Sequence, residues 1–247
     1  MRVLDLFSGI GGFSLGLERA GMQTVAFCEI EPYPRAVLKK HWPNVPCYDD
    51  IKTLTADRLR ADGIVSDVIC GGFPCQDISV AGGGAGINKD TRSGLWSEYA
   101  RLIGEIRPRY VIVENVAALL GRGLERVLGD LAQIGYDAEW HCIPASAVGA
   151  PHRRDRVWIV AHSQGIGCNN GYDRKLFGSF ARKINAFAGA SGAVNKLEAW
   201  GWAHEPNVGR VAHGVPKRVD RLKCLGNAVV PQIPEIIGRA IMAMENQ

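Results

Sequence analysis

The chain has 247 residues, 29 lysines and arginines, 25 aspartates and glutamates, and 47% apolar residues, for a net charge of +4. That length suits one large domain, or one domain with a small second one, and the composition excludes wholesale disorder. No run of about 18 apolar residues occurs, so no transmembrane helix and no membrane association are expected. The start, Met1-Arg2-Val3-Leu4-Asp5-Leu6-Phe7, reads as a strand rather than a secretory signal. The seven cysteines are scattered, with no Cys-x-x-Cys and no His-x-x-x-His spacing. This argues against a disulfide scaffold or zinc finger, for a cytoplasmic setting, and for no metal site.

Short apolar runs alternate with helical periodicity along the first two thirds of the chain. The first strand, Val3–Phe7, opens into Ser8-Gly9-Ile10-Gly11-Gly12 and then a helix over Phe13–Ala20. A glycine turn at the end of a first strand lets a ligand approach the backbone closely. A second strand, Thr24–Glu29, ends on Glu29, 18 residues past Gly11. A carboxylate there is placed to accept hydrogen bonds from ribose hydroxyls. Ser14 breaks the Gly-x-Gly-x-x-Gly fingerprint and no P-loop is present, so a ribose-containing ligand held without its pyrophosphate fits better than a dinucleotide. S-adenosyl-L-methionine is such a ligand; a purely structural strand–helix turn is the alternative.

A helix over Pro34–His41 follows, and then a buried strand, Asp67–Gly71. This strand runs into Gly71-Gly72-Phe73-Pro74-Cys75-Gln76-Asp77-Ile78-Ser79 and a glycine run over 82–86 that reads as a mobile loop. Cys75 therefore sits where open α/β sheets carry their ligands. A free thiol has a pKa near 8.5, so about 3% is thiolate at neutral pH, enough to attack an activated acceptor.

Leu95, Trp96, Tyr99, Leu102, Ile103 and Ile106 make one helical stripe; Leu124, Val127, Leu128, Leu131 and Ile134 make another, ended by Gly135. Strands are expected at Tyr110–Glu114, Glu139–Ile143 and Arg156–Ala161, and a last amphipathic helix after Pro234. Such alternation predicts a doubly wound, Rossmann-like α/β sheet.

The pattern breaks after His162. Residues 163–210 are rich in Gly, Asn, Ala and Ser, as in a loop-rich small lobe. From Ser163 to Arg221 nine basic residues face four acidic ones, so this stretch carries +5 and the remainder −1. A polyanion partner fits this asymmetry, and so does a solvated basic face.

Three motifs in this order and spacing resemble the DNA cytosine-5 methyltransferases: Asp5-Leu6-Phe7-Ser8-Gly9-Ile10-Gly11-Gly12, Phe73-Pro74-Cys75-Gln76 and Glu114-Asn115-Val116. Pro151-His152-Arg153-Arg154-Asp155-Arg156-Val157 looks like the family's Gln-x-Arg-x-Arg element, with His152 in place of the glutamine. Leu225-Gly226-Asn227-Ala228-Val229-Val230-Pro231 looks like its C-terminal Gly-Asn element. The likeness covers residues 1–162 and about 205–245, and within the family it is to short phage- or prophage-type members.

The resemblance implies that a cytosine is flipped out of double-stranded DNA, that Cys75 attacks its C6 and that C5 takes a methyl from S-adenosyl-L-methionine. It gives Glu114 the cytosine N3 and N4 edge, Arg156 the O2, and Arg154 the support of the thiol and a phosphate. For the cofactor it implies Phe7 and Ile30 on the adenine, Glu29 on the ribose, and Asp50 on the adenine amine. Ser8, Gly9, Gly11 and the backbone at Pro74 would hold the methionine end, and Asn227 would bridge to the C-terminal segment. Gln76, Ser79, Arg153, Arg174, Lys175, Arg182 and Lys183 are the expected DNA contacts. Ile30 stands where a larger aromatic is frequent in the family. Asp50 also fits a helix N-cap, Glu114 an exposed strand end, and Arg153, Arg154 and Arg156 a basic surface.

The expected organisation is a catalytic and cofactor-binding domain of 1–162 plus 222–247 and a target-recognition region of 163–221, short for that role. A monomer is expected, with a cognate restriction endonuclease as a further partner. Two other readings stay open: the tRNA-methylating branch of the superfamily, and an inactive DNA-binding remnant.

Overall fold

The computed structural model describes residues 1–74, 94–163 and 218–246. Seven strands form one sheet: β1 (Arg2–Leu6), β2 (Gln23–Cys28), β3 (Cys47–Tyr48), β4 (Val68–Gly71), β5 (Tyr110–Val116), β6 (Tyr136–Pro144) and β7 (Asp155–Ser163). Their order is β3-β2-β1-β4-β5-β7-β6. The first five are parallel, β7 runs antiparallel to β5, and β6 antiparallel to β7. The chain reverses its direction of travel between β1 and β4, the crevice position at which open α/β sheets bind ligands.

Helices cover both faces, as an α/β sheet of near-continuous apolar strands requires. They are α1 (Gly12–Arg19), α2 (Pro32–His41), α3 (Ala56–Ala61), α4 (Leu95–Ile106), α5 (Leu119–Arg122), α6 (Leu124–Ile134), α7 (Arg218–Asn227) and α8 (Gln232–Glu245). One core joins Trp96 and Leu102 of α4 and Val127 and Leu131 of α6 to Leu4, Ile69, Val111 and Ile159 of the sheet. The opposite core joins Phe13 and Leu17 of α1 and Ile233, Ile237 and Ile241 of α8 to Val3, Val68, Ile112 and Trp158.

All six strands expected from the apolar runs are present, with ends shifted by at most three residues, and the helices read from the two stripes match at both ends. The expected Glu139–Ile143 strand extends to Tyr136–Pro144 at the sheet edge, where Trp140 is 46% exposed. Four elements carried no periodic signal: the two-residue β3, the six-residue α3, the four-residue α5 and the polar α7, on which Val219 and Leu225 are exposed.

Chain ends meet in α1 and α8. A Cβ on Gly16 would lie 2.2 Å from the Pro231 carbonyl oxygen, so only glycine permits this approach. Each fully buried isoleucine of α8 stabilises this contact by about 1.5–3 kcal/mol. Tyr110 Oη donates to Glu245 Oε1 at 2.8 Å, and Arg109 pairs with the same carboxylate, fixing the far end of α8.

Asp5 is fully buried beneath the glycine loop, where the Ser14 hydroxyl donates to its Oδ2 at 2.7 Å. Burial pushes its pKa up to about 8 against that bond. The folded chain then holds a proton that the unfolded chain releases near pH 4, so stability falls as pH rises from about 4 to about 8, by up to about 1.4 kcal/mol per pH unit. Asp5→Asn, which keeps an acceptor for Ser14, is expected to flatten this decline. Melting temperatures should coincide near pH 4 and diverge in favour of the variant toward pH 8; parallel profiles would contradict the assignment.

Candidate active site

Two adjoining regions at the C-terminal ends of β1, β2, β4 and β5 collect most of the described residues singled out in the sequence. The first is a cavity of about 470 Å3 lined by Phe7, Glu29, Ile30, Asp50, Pro74 and Leu95, among others. Phe7 has a φ of +52°, a left-handed conformation costly for a non-glycine residue. Ser8 is buried and donates from Oγ to the Asp5 carbonyl at 2.6 Å, which fixes the turn leaving β1. Gly9 and Gly11 follow with φ of +53° and +86°.

Glu29 ties this loop to the next strand. Its Oε2 accepts from the Gly9 N–H at 2.7 Å and its Oε1 from the Glu31 N–H at 2.8 Å. Each oxygen keeps a second lone pair for a further donor, as a ribose diol requires. Ile30 is 65% exposed on the cavity rim, a large apolar side chain open to a flat ligand. Asp50 lines the cavity and accepts from the Lys52 N–H at 2.9 Å in a turn; it is not a helix N-cap, a place that Thr55 takes for α3. Donors, acceptors and apolar surface here suit a nucleoside with a short polar tail; among the described residues no cluster suits a metal ion.

The second region lies beside it. Glu114 is 8% exposed, not the open strand end that was the alternative, and its Oε1 meets Arg156 Nε at 2.9 Å. Burial pushes the Glu114 pKa up, against the pull of Arg156 and Arg154. Arg154 is half-buried, has a φ of +34°, and donates from Nη1 to the Ala228 carbonyl at 2.6 Å. Arg153 is exposed and pairs with Asp155 at 3.3 Å. Asn227 is exposed at the end of α7, next to the residue that Arg154 grips. Lys223 of the same helix bridges to Glu31 at 3.0 Å, which brings α7 to the rim near Glu29.

Cys75, Gln76, Ser79, Arg174, Lys175, Arg182 and Lys183 lie outside the described residues. The approach to Cys75 is nonetheless held firmly. Asn115, 3% exposed, donates from Nδ2 to the Phe73 carbonyl at 3.0 Å and accepts from the Val116 N–H at 2.9 Å. Sequence reasoning gave Asn115 no role of its own; its position beside Glu114 was the only signal.

Gly72 was likewise missed. A Cβ there would sit 2.8 Å from Glu114 Oε2, so glycine is what leaves space for the carboxylate. Gly72→Ala is expected to displace Glu114 from Arg156 and to cost about 1–3 kcal/mol through overpacking. A crystal structure of the variant with the pair intact and an unchanged melting temperature would contradict this.

Against known proteins, residues 1–198 match the family model for C-5 cytosine-specific DNA methylase. The chain is 38% identical over 169 residues to the Type II methyltransferase M2.BsuMI of Bacillus subtilis (strain 168), covering 65% of this chain and 42% of that protein. It is 38% identical over 165 residues to the Type II methyltransferase M.Eco47II of Escherichia coli, covering 64% and 39%. The chain thus spans less than half the length of these relatives. Among solved structures, a prophage-encoded E. coli protein described as a DNA modification methyltransferase superposes with a TM-score of 0.58 at 27% identity, covering 67% of this chain and 47% of that one. DNMT2 of Spodoptera frugiperda shares the fold, with a TM-score of 0.57 at 22% identity, covering 70% and 52%. With four fifths of its length matched by one model, and with relatives that agree, the chain belongs to the C-5 cytosine-specific DNA methylase family.

Proposed function

We propose that this chain transfers a methyl group from S-adenosyl-L-methionine to C5 of a cytosine flipped out of double-stranded DNA. The observation that carries the reading is a buried carboxylate, Glu114, paired with Arg156 beside the strand end that leads into Pro74–Cys75, with a nucleoside-sized cavity adjoining. Phe7, Glu29, Ile30, Asp50 and Pro74 hold the cofactor's nucleoside and adjoining parts, and Ser8, Gly9 and Gly11 shape its methionine end. Asn227 approaches from α7. The cofactor supplies, when bound, an electrophilic methyl on a sulfonium.

Cys75 adds as thiolate to C6 of the cytosine, which makes C5 nucleophilic toward that methyl. Glu114 hydrogen-bonds the N3 and N4 edge; its raised pKa favours a proton it can share with N3. A carboxylate accepting from the exocyclic amine also separates cytosine from thymine. Arg156 holds O2 and orients Glu114, and Arg154 supports the thiol and a nearby phosphate. Loss of the C5 proton to base then expels Cys75 and leaves 5-methylcytosine. Gln76, Ser79, Arg153, Arg174, Lys175, Arg182 and Lys183 contact the DNA, the basic ones mainly through phosphates.

Residues 1–162 with 222–247 form the catalytic unit and 163–221 the target-recognition region, with α7 crossing the boundary between them. The Type II naming of the relatives supports a cognate restriction endonuclease as partner. A DNA substrate sets the work of the enzyme, acting as a monomer, in the cytoplasm. Among the described residues no helix is long and apolar enough to cross a membrane.

The test is transfer of labelled methyl from S-adenosyl-L-methionine to unmethylated mixed-sequence DNA, with tRNA in parallel. Wild type should label DNA, Cys75→Ser should abolish the label, and Glu114→Gln should lower the rate about 10²–10⁴-fold. Label in tRNA alone would move the activity to RNA. No label from a folded chain that binds the cofactor would leave a DNA-binding remnant.

A further inference from the structure

The cavity read as the cofactor site has two walls that the sheet does not join. One is Asp49–Lys52, after β3; the other is Gly94, Leu95, Ser97 and Glu98, at the start of α4. The polar link between them is Arg101, one turn further along α4. Its Nη2 donates to the Ile51 carbonyl at 3.0 Å and to the Leu54 carbonyl at 2.9 Å. Its Nε meets Glu98 Oε2 at 2.7 Å, and its Nη1 meets Glu105 Oε1 at 2.7 Å. The second oxygen of Glu105 accepts from the Ala56 N–H at 3.0 Å, at the start of α3.

We infer that Arg101 is a positioning residue of the cofactor site, acting through Ile51 and Glu98 to fix the separation of the two walls around the nucleoside. The inference rests on the cofactor reading of this cavity. Ile51 and Leu54 are 4% and 0% exposed, so their carbonyls have little water to fall back on when the guanidinium is removed. Glu98 lines the cavity, and the same guanidinium holds its carboxylate against α4. Losing Arg101 therefore loosens the Ile51 wall and frees a carboxylate at the opposite one. Only a planar fork with several donors reaches two carbonyls and two carboxylates at once; a lysine ammonium on its flexible stem does not reproduce that geometry.

The experiment is calorimetric titration of S-adenosyl-L-methionine into the full chain as wild type, R101M and R101K, well below the melting midpoint of each. Methyl-transfer kinetics accompany it. R101M should bind about tenfold or more weakly, on the scale of one lost set of charge-assisted hydrogen bonds. R101K should also be weaker, because it restores charge but not the fork. The defect should lie in the cofactor KM, with kcat at saturating cofactor within about threefold of wild type. Variants that melt earlier but bind as tightly as wild type would show Arg101 to be structural only and overturn the inference. If R101M does not fold, R101K decides between the same two outcomes. A wild-type chain that folds and does not bind S-adenosyl-L-methionine overturns the cofactor reading itself.

Discussion

The site exists because three parallel strands end at one level and a fourth, β5, passes it. Leu6 lies opposite Cys28 on one side and Gly71 on the other, and Gly71 lies opposite Val113. The residues that follow, Phe7, Glu29, Gly72 and Glu114, therefore emerge along a single edge. Antiparallel β7 adds what a parallel strand could not. It enters the sheet at that same edge, so Arg156, near its start, pairs with Val116 and aims at Glu114. The reversal of one strand thus brings the arginine element to the carboxylate across a short hydrogen-bonded distance.

Electrostatics at this edge are balanced rather than strong. Burial raises the cost of charge on Glu114, Arg156 and Arg154 lower it, and Arg154 is itself pushed down by burial and by Arg156. The balance leaves the Glu114 pKa above the ordinary carboxylate range, which fits the role proposed for it toward the base. Two of the three described non-glycine residues with positive φ, Phe7 and Arg154, fall at this edge. Backbone strain and perturbed ionisation coincide there.

Sequence patterning carried the strands because parallel strands buried on both faces must be apolar nearly throughout, and it carried α4 and α6 because each has one buried stripe. It missed β3, α3 and α5, which are too short to show a period, and α7, whose second and eighth residues, Val219 and Leu225, face outward. Glu29 stood out by its position at a strand end, and Phe7 and Glu114 by the motifs that carry the resemblance. Gly72, Asn115 and Arg101 did not, because what marks them is distance in space: a carboxylate across the sheet, a carbonyl 42 residues back, and two carbonyls 47 and 50 residues back. Local order in a sequence does not encode such pairs.

The joining of α1 to α8 bears on how the protein is made. Phe13, Leu17 and Met22 are made first, yet Ile233, Ile237 and Ile241, which cover them, leave the ribosome some two hundred residues later. The carbonyl that Arg154 grips, at Ala228, comes equally late. Part of one face of the sheet must therefore stay uncovered while the intervening residues are made, a period in which chaperones have an apolar surface to hold. The arginine element meanwhile lacks its anchor: the Ala228 carbonyl follows Arg154 by 74 residues, so this part of the strand-end edge and the face under α8 are completed together.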